Sequence, residues 1–451
     1  MKHKGMLCVS LLFSSLLIFT VFFPSVSTAK PLTTIMWKGQ PTEVADGEII
    51  VKLKSGVNPE QRSGILDEAN SWVIDGFDNL GIGLVGFDIN SDVIEKISYF
   101  SANPLIEYAE PNFRMYPAFG GETEPFFDSL WGFNNKEQTV CRDKGSSDVD
   151  ADILEAWSIE TGDTNVWISI IDTGIPMDSI SGQLIHPDLK DSSRIKIDTG
   201  FRPWLEHRED PAHQHGTGVL GVAGAKKNNI GVVGVCYDCK FLVTKFTGDD
   251  TAYTYSFYKA IKHVAGLGYV DIMSLTHTSA DAITIEYAID SAYKADVLVC
   301  AAAGNIYAPG LNPPANYASM GHLPGHNKCT SGYDTDSCGY GNVIAVSGIT
   351  NDGGTNCAYS NDSMRVTVVA PAVGWKYCIA DSSWYCGGFN VCGTSHATPF
   401  VAGIAGLILA HKPGLRGGSF RTSDSLRTII ENTAVDGGEL GWDRFYGHGM
   451  G

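Results

Sequence analysis

Three short motifs supply a carboxylate, an imidazole and a hydroxyl that could act together. Asp172 follows the apolar run WISII and begins a D-T-G turn, His215 opens H-G-T-G, and Ser395 lies in G-T-S-H-A-T-P at the head of a helical pattern. A serine hydroxyl becomes an effective nucleophile when an imidazole removes its proton, and a buried carboxylate can hold that imidazole in the required tautomer. The motifs predict nucleophilic catalysis by Ser395, with His215 as the base and Asp172 orienting it.

The elements that must position these residues are apolar strands separated by helical patterns. The strand-like runs are VWISII, FLVTKF, DIMSL, VLVCAAA and NVIAVSGI. Continuous apolar strands alternating with helices predict an α/β fold, with a doubly wound, mainly parallel sheet covered by helices on both faces. Such sheets carry functional residues at the carboxyl ends of their strands. Asn305, after VLVCAAA, is at such an end and could donate to an oxyanion.

A smaller unit precedes this sheet. EIIVKL and LVGFDI read as strands, residues 59–69 as a helix, Ser91 as the cap of a second helix, and LIEYAE as a closing strand. This order predicts a small α+β unit of the split βαβ, ferredoxin-like kind. The Gly-, Glu- and Pro-rich stretch 118–125 reads as a linker, so the predicted domains are residues 1–29, 30–120 and 121–451.

The first 29 residues read as a signal peptide. Lys2 and Lys4 precede an apolar stretch, residues 6–23, and Ser27-Thr28-Ala29 supplies small residues for cleavage after Ala29. An uncleaved membrane anchor is the alternative, because the stretch is nearly long enough to span a bilayer. The signal-peptide interpretation predicts secretion, with no later membrane segment.

The net charge of the chain limits the classes of partner that it can bind. The chain has 50 acidic and 32 basic residues, a formal charge of −18, which argues against nucleic acid or an anionic membrane as a partner.

Loss of Cys8 with the signal peptide would leave ten of the 11 cysteines, an even number that favours disulfides in an oxidising compartment. The easiest pairs are Cys236 with Cys239 and Cys329 with Cys338, whereas Cys300 resembles a buried core residue. A zinc site at C-Y-D-C lacks a second ligand pair.

Taken together, four motifs resemble those of the subtilisin-like serine peptidases. They are D-T-G at Asp172, H-G-T at His215, A-A-A-G-N at Asn305 and G-T-S-x-A at Ser395, and the unit ending in E-Y-A-E-P-N resembles the family's pro-segment. The resemblance implies a serine endopeptidase that cleaves polypeptides through an acyl-enzyme. It implies Asp172, His215 and Ser395 as the catalytic triad and Asn305, with the backbone N–H of Ser395, as the oxyanion donors.

The resemblance also carries expectations about maturation and partners. The propeptide would chaperone folding, inhibit the enzyme and be removed by self-cleavage between residues 115 and 127. The expected partners are polypeptide substrates and the chain's own propeptide, with no nucleic acid or membrane partner, and the enzyme is expected to be a monomer. The segment between Asn305 and Asn342, which contains Cys329 and Cys338, is an insertion relative to compact family members.

Two further sites are implied by the resemblance. Ser274, Leu275 and Thr276 correspond to the edge on which a substrate adds as an extra strand, although the family usually has Gly at Thr276 and Met at His396. A structural Ca²⁺ site is implied by H-P-D-L at Asp188 and the loop K-K-N-N-I-G-V. Its other ligands would be the side chain of Asn228 and the backbone carbonyls of Lys226, Ile230 and Val232.

Three rival interpretations explain less of the sequence. A second D-T-G at Asp198 would suit an aspartic peptidase, but the two turns are too close in sequence for two lobes, and H-G-T and G-T-S would be unexplained. His213, His215 and nearby His207 could be metal ligands, but no carboxylate has a known accompanying spacing. A binding protein without turnover should have lost one triad residue, and all are present.

Overall fold

The computed structural model describes most of the chain after its first 31 residues. The described residues are 32–38, 40–77, 80–89, 91–113, 124–140, 143–203, 207–209, 214–247, 252–305, 310–319, 339–353, 361, 363, 365–372, 376–378, 384–386 and 393–451. They belong to two compact units, Met1–Tyr116 and Pro117–Gly451. The predicted signal peptide, His213, Cys329 and Cys338, and most of the predicted maturation segment lie outside the described residues.

The first unit is an antiparallel sheet with two helices. Its elements are β1 (Leu32–Trp37), β2 (Gln40–Leu53), α1 (Pro59–Glu68), β3 (Trp72–Asp75), β4 (Ile82–Gly86), α2 (Val93–Ala102) and β5 (Ile106–Phe113). The strands follow the order β1-β2-β4-β3, and β5 also pairs with β2. The arrangement β5-β2-β4-β3 with its two crossover helices is a split βαβ unit, so the predicted α+β fold is confirmed.

Local capping explains where the two helices of this unit begin. Asn58 and Gln61 form a reciprocal capping box at the start of α1. At α2 the cap is Asp92 and not the predicted Ser91, because the Asp92 carboxylate accepts hydrogen bonds from the N–H groups of Ile94 and Glu95. Strands β1 and β3 were not predicted. All four residues of β3 are exposed, so it has no alternation of buried and exposed positions for a sequence pattern to reveal.

The second unit is built on a seven-stranded parallel sheet. Its strand order is β14-β13-β12-β11-β8-β10-β9. The strands are β8 (Trp167–Asp172), β9 (Ile195–Ile197), β10 (Lys240–Lys245), β11 (Ile272–Leu275), β12 (Leu298–Ala302), β13 (Val343–Ile349) and β14 (Val368–Pro371). All five predicted strands are present in the predicted parallel arrangement, and only the short β9 and β14 were missed. The order reverses at β8, which is an internal strand between β11 and β10.

Helices and short elements complete this unit. The helices are α3 (Ile153–Trp157), α4 (His215–Gly224), α5 (Thr254–Ala265), α6 (Ile283–Lys294), α7 (Thr394–His411) and α8 (Thr422–Thr433), with 3₁₀ turns at Phe127–Ser129, Ala315–Tyr317 and Pro413–Leu415. Two small antiparallel pairs join β6 (Thr139–Val140) to β7 (Asp143–Lys144) and β15 (Lys376–Cys378) to β16 (Trp384–Cys386). Among the described residues, no helix combines the length and the apolar character needed to cross a membrane.

Both faces of the large sheet are covered. Along β12, Leu298 and Cys300 pack into one apolar cluster with α4, α7 and α8, while Val299 and Ala301 pack into a second cluster with α5 and α6. Each strand is therefore buried on both sides, which explains why its sequence is apolar throughout. Cys300 is fully buried as a free thiol, as the sequence suggested.

Two glycines allow the D-T-G turn and the H-G-T helix to touch. Gly174 has φ +103°, and a Cβ there would lie 2.2 Å from the carbonyl oxygen of His207. A Cβ on Gly216 would lie 2.3 Å from the carbonyl oxygen of Gly174. Neither contact is sterically possible, so glycine is required at both positions for the carboxyl end of β8 to meet the start of α4.

Candidate active site

The carboxyl end of β8 and the start of α4 bring Asp172 and His215 into contact. The Asp172 side chain is fully buried, and its Oδ1 lies 2.8 Å from Nδ1 of His215. Oδ1 also accepts the N–H of Thr173 at 2.7 Å. A third of the His215 side chain is exposed. With Nδ1 bound to the carboxylate, Nε2 is the nitrogen left to exchange a proton with a substrate or a nucleophile.

Thr276 joins Asp172 to Ser395. The Thr276 hydroxyl donates to Asp172 Oδ2, and the Ser395 hydroxyl donates to the Thr276 carbonyl oxygen at 3.3 Å. Ser395 is the second residue of the buried helix α7, and it is only 8% exposed. The structure thus brings Asp172, His215 and Ser395 to one site, with Thr276 between the first and the last.

Asn305 lies beside the start of the same helix. Its Oδ1 accepts both the backbone N–H and the hydroxyl of Thr394, each at 2.9 Å. These two donors identify which end of the amide is the oxygen, so Nδ2 is the group left to donate. Thr394 immediately precedes Ser395, and therefore the predicted oxyanion donor is tied to the chain next to the predicted nucleophile.

Glu209 is a site residue that the sequence analysis missed. Its carboxylate accepts the backbone N–H groups of Gly216 at 2.7 Å and Thr217 at 3.2 Å, and the hydroxyls of Thr173 and Thr217. It therefore ties the turn after Asp172 to the first turn of α4. A carboxylate at a helix N-terminus is favoured by the helix dipole. No local sequence pattern signals this role, because Thr173 lies 36 residues away along the chain.

The ionisation of the pair suits an acid-base role. Burial by itself would raise the pKa of Asp172, but the facing His215 and His277 and the hydrogen bonds from His215 and Thr276 lower it well below 3.8. Burial tends to lower the pKa of His215, yet the Asp172 carboxylate outweighs this and raises it above 6.5. Asp172 is therefore an anion at neutral pH, and it stabilises the protonated form of His215.

Two more histidines lie near the pair. Nδ1 of His277 is 3.7 Å from Asp172 Oδ2, and the His277 and His215 rings meet edge to face at 5.0 Å. His396 is buried beside them, and that burial lowers its pKa to about 3, so it stays neutral. His277 was missed although it lies two residues after the end of β11, near the position that the parallel-sheet rule points to.

The predicted substrate edge lies at the carboxyl end of β11. Ser274 and Leu275 pair with β12 on one side and with β8 on the other, and both are fully buried. Thr276 follows the last paired residue of β11. The assignment of Ser274, Leu275 and Thr276 to substrate binding stays a prediction.

The residues predicted to bind Ca²⁺ come together on one loop. The Asp188 carboxylate is fully buried and accepts the Val232 N–H at 2.9 Å, and its backbone carbonyl accepts the Lys226 N–H at 2.8 Å. The Asn228 amide donates to the Pro187 carbonyl at 3.2 Å, and Ile230 donates to Asn228 Oδ1 at 3.0 Å.

Glu124 is a second buried carboxylate on this loop, and the sequence analysis did not identify it. Its oxygens accept the N–H groups of Asn228, Asn229 and Ile230 at 2.5–3.0 Å. Glu124 and Asp188 together bury two anions at one loop, and buried charge calls for compensation.

The rival features have other partners. Asp198, of the second D-T-G, accepts the Thr244 hydroxyl at 2.7 Å and lies 3.1 Å from Nε2 of His263. Nε2 of His207 donates to the Arg202 carbonyl oxygen at 3.2 Å. The Sγ atoms of Cys236 and Cys239 are at bonding distance, 1.99 Å.

Two family models and several known proteins are similar to this chain. Residues 163–449 match the model of the subtilase family, and residues 37–112 match that of the fervidolysin N-terminal prodomain. The chain is 27% identical over 447 residues to a thermophilic serine proteinase of Bacillus sp. (strain AK1), covering 96% of this chain and 94% of that protein. It is 27% identical over 358 residues to alkaline elastase YaB of Bacillus sp. (strain YaB), covering 79% and 75%.

A further relative is matched over most of its own length. Subtilisin BL of Lederbergia lenta is 28% identical over 288 residues, which cover 64% of this chain and 88% of that protein. The family model alone matches more than half of the chain. The chain therefore belongs to the subtilase family: it is a serine endopeptidase of that family with an N-terminal prodomain.

Proposed function

We propose that the chain is the precursor of a secreted serine endopeptidase that cleaves polypeptides through an acyl-enzyme on Ser395. The observation that carries the proposal is the buried Asp172 carboxylate held 2.8 Å from His215 Nδ1, with Thr276 linking that carboxylate to Ser395. Secretion rests on the signal-peptide pattern of residues 1–29.

The reaction begins with proton transfer from Ser395 to His215. Rotation of the Ser395 side chain releases its hydroxyl from the Thr276 carbonyl and turns it to Nε2 of His215. As Nε2 takes the proton, Oγ bonds to the substrate carbonyl carbon. His215 then returns the proton to the leaving amine as the C–N bond breaks. A water molecule then attacks the acyl carbon while His215 takes its proton. His215 returns that proton to Oγ of Ser395 as the acyl bond breaks, which releases the acid product.

Asp172 and Asn305 act while charge develops. The Asp172 carboxylate keeps Nδ1 of His215 protonated and stabilises the imidazolium, which is consistent with the raised pKa of His215. The carbonyl oxygen of the substrate becomes an anion in the tetrahedral intermediate. Nδ2 of Asn305 and the backbone N–H of Ser395 at the start of α7 are the donors proposed to hold it.

The substrate is proposed to be an extended polypeptide that pairs with the backbone at Ser274, Leu275 and Thr276. Backbone pairing gives affinity for polypeptides in general. The prodomain is proposed to inhibit the enzyme until the enzyme itself cuts the chain between residues 115 and 127. This proposal is supported by the match of residues 37–112 to a prodomain family. A monomer is the expected form.

A serine-directed phosphonate tests the assignment of nucleophile and base together. The reagent should inactivate the enzyme with one adduct on Ser395, mapped by peptide mass. Because the neutral form of His215 is the base, and its pKa is raised above 6.5, the inactivation rate should rise with pH and reach half its maximum above pH 6.5. An inhibitor of aspartic peptidases should have no effect. An adduct elsewhere, or a rate independent of pH where imidazole titrates, contradicts the proposal.

We also propose a structural Ca²⁺ ion on the loop at residues 226–232. The donors are the carboxylates of Asp188 and Glu124, the amide oxygen of Asn228 and the carbonyls of Lys226, Ile230 and Val232. Oxygen donors of these kinds suit a hard cation, and two buried carboxylates at one loop supply the charge it needs. The ion would hold the segment at Glu124 and the loop after α4 together.

A chelator should therefore lower the melting temperature of the mature enzyme. An ion present at a hundredfold its Kd stabilises the folded state by about 2.7 kcal/mol, and removal forfeits that stabilisation. Asp188→Asn should melt at a lower temperature and lose its response to the chelator. Asp191→Asn is the matched control, because Asp191 lies on the same segment but pairs with Arg194 and Lys226. An unchanged melting curve of the unaltered enzyme with chelator would refute the site.

A further inference from the structure

The active site holds three groups that are metal ligands in other proteins. One ligand atom from each of Asp172, His215 and His277 lies within 4.8 Å of the other two. The two carboxylate oxygens of Asp172 face different rings: Oδ1 lies 2.8 Å from Nδ1 of His215, and Oδ2 lies 3.7 Å from Nδ1 of His277. Two imidazole nitrogens and one carboxylate are a ligand set that Zn²⁺ accepts.

The three ligand atoms must lie close together for one ion to reach all of them. Zinc binds nitrogen and oxygen at about 2.0–2.2 Å in a tetrahedral arrangement, which separates neighbouring ligand atoms by roughly 3.3–3.6 Å. The ligand atoms of Asp172, His215 and His277 lie within 4.8 Å of one another. A bound ion would therefore draw the three side chains closer together.

His277 is the unusual member of the group. Its Nδ1 is buried and makes no hydrogen bond within the described part of the chain. The ring meets Phe246 edge to face at 4.9 Å, which restricts its orientation. The peptidase mechanism uses His215 and leaves this nitrogen without a role.

Two of the three side chains reach the protein surface. The side chain of His215 is 33% exposed and that of His277 is 23% exposed, whereas Asp172 is fully buried. The two rings thus form the outer part of the group, and the carboxylate supplies its negative charge.

We propose that Asp172, His215 and His277 form a binding site for Zn²⁺ whose occupation switches the peptidase off. This site shares no residue with the proposed Ca²⁺ loop. Its imidazole nitrogens are ligands for transition metals, whereas Ca²⁺ prefers oxygen. Inhibition follows from the tautomer of His215. When zinc takes the lone pair of Nδ1, the ring proton moves through solvent to Nε2, and Nε2 can no longer accept the proton of Ser395.

Zinc titration of the purified active enzyme tests the proposal, with Ca²⁺ kept in excess. Added Zn²⁺ should inhibit hydrolysis reversibly, and 1,10-phenanthroline, which takes transition metals, should restore it. In His277→Leu the inhibition constant should rise about 10–100-fold or more, since loss of an outer-shell partner alone commonly costs that much in affinity. Each variant is compared with its own metal-free rate, so a change in basal activity does not affect the measured inhibition constant.

A binding measurement separates the ion from activity. Co²⁺ in a tetrahedral nitrogen and oxygen site absorbs in the visible range, and we expect this band from the unaltered enzyme and not from His277→Leu. His263→Leu is the matched control. His263 is 27% exposed and lies 3.1 Å from a buried aspartate, Asp198, but is not part of a three-ligand group among the described residues. His263→Leu should keep both the cobalt band and the zinc inhibition.

Several outcomes would overturn the proposal. They are absence of zinc inhibition in the unaltered enzyme, equal inhibition constants in His277→Leu and the unaltered enzyme, and equal loss of inhibition in His263→Leu. His277→Gln serves if the leucine variant does not mature, because glutamine keeps a polar side chain but is a poor zinc ligand. Metal-free hydrolysis is measured in the same series, so a failure of the zinc site would leave the peptidase proposal standing.

Discussion

Ser395→Ala should abolish hydrolysis and leave the precursor uncut. In subtilisin, a relative in the same family, loss of the nucleophile alone lowers kcat by about 10⁶-fold, and that magnitude is carried over from the relative. The substitution removes one oxygen at the first turn of α7, where alanine is well tolerated in a helix. The fold should therefore persist while the nucleophile is lost. Casein hydrolysis and the intact mass of the purified product measure the two effects.

A second serine provides the control for this prediction. Ser169→Ala makes the same change on β8, where the Ser169 hydroxyl is buried and makes no hydrogen bond among the described residues. This variant should mature and hydrolyse casein normally. If Ser395→Ala is processed in a preparation without other proteases, self-maturation is wrong. If it still hydrolyses casein, the nucleophile has been misassigned.

Asp172→Asn should lower kcat/KM by about 10⁴-fold, the loss seen when the equivalent carboxylate of a serine protease triad is replaced. Asp172 Oδ1 accepts from Nδ1 of His215 at 2.8 Å, and Oδ2 accepts from the Thr276 hydroxyl. An asparagine that turned its NH₂ group toward His215 would make Nδ1 the acceptor and leave the proton on Nε2. His215 would then be in the wrong tautomer to deprotonate Ser395.

Asp198→Asn is the matched control, because Asp198 is also buried and also begins a D-T-G turn. Its partners are the Thr244 hydroxyl and His263, not His215. We expect this variant to keep its kcat/KM once its folding has been verified. If the two variants lost activity equally, both carboxylates would be in the chemistry, as in an aspartic peptidase, and the serine mechanism would be wrong.

The parts of the site that could be predicted are those encoded by short-range patterns. D-T-G after an apolar run, H-G-T before small residues and G-T-S before a helix each keep the reactive side chain and its local backbone within a few residues. Continuous apolar strands also predicted the buried parallel sheet, since strands covered on both faces have no polar side. That sheet rule alone places Asp172 and Asn305 at the same edge.

What could not be predicted depends on contacts between distant segments. Ser274 and Leu275 lie on a predicted strand, and only their pairing with β8 and β12 shows that this strand is internal. Glu209 acquires its role by accepting a hydrogen bond from the hydroxyl of Thr173, which follows β8 and lies 36 residues away along the chain. No local pattern reports either partner, because both relations arise from how the chain returns to the same place.

The sequence by itself determined the chemistry of this protein: a serine, a histidine and an aspartate in motifs of high joint specificity, on a parallel α/β frame after a small α+β unit. Only the tertiary structure decided which groups surround them. It placed Thr276 between Asp172 and Ser395, and His277 against the second oxygen of Asp172. The physical reason is the separation of the residues along the chain. Residues of one motif are neighbours in sequence, whereas Thr276 and His277 lie near Asp172 because β8 and β11 are adjacent in the sheet.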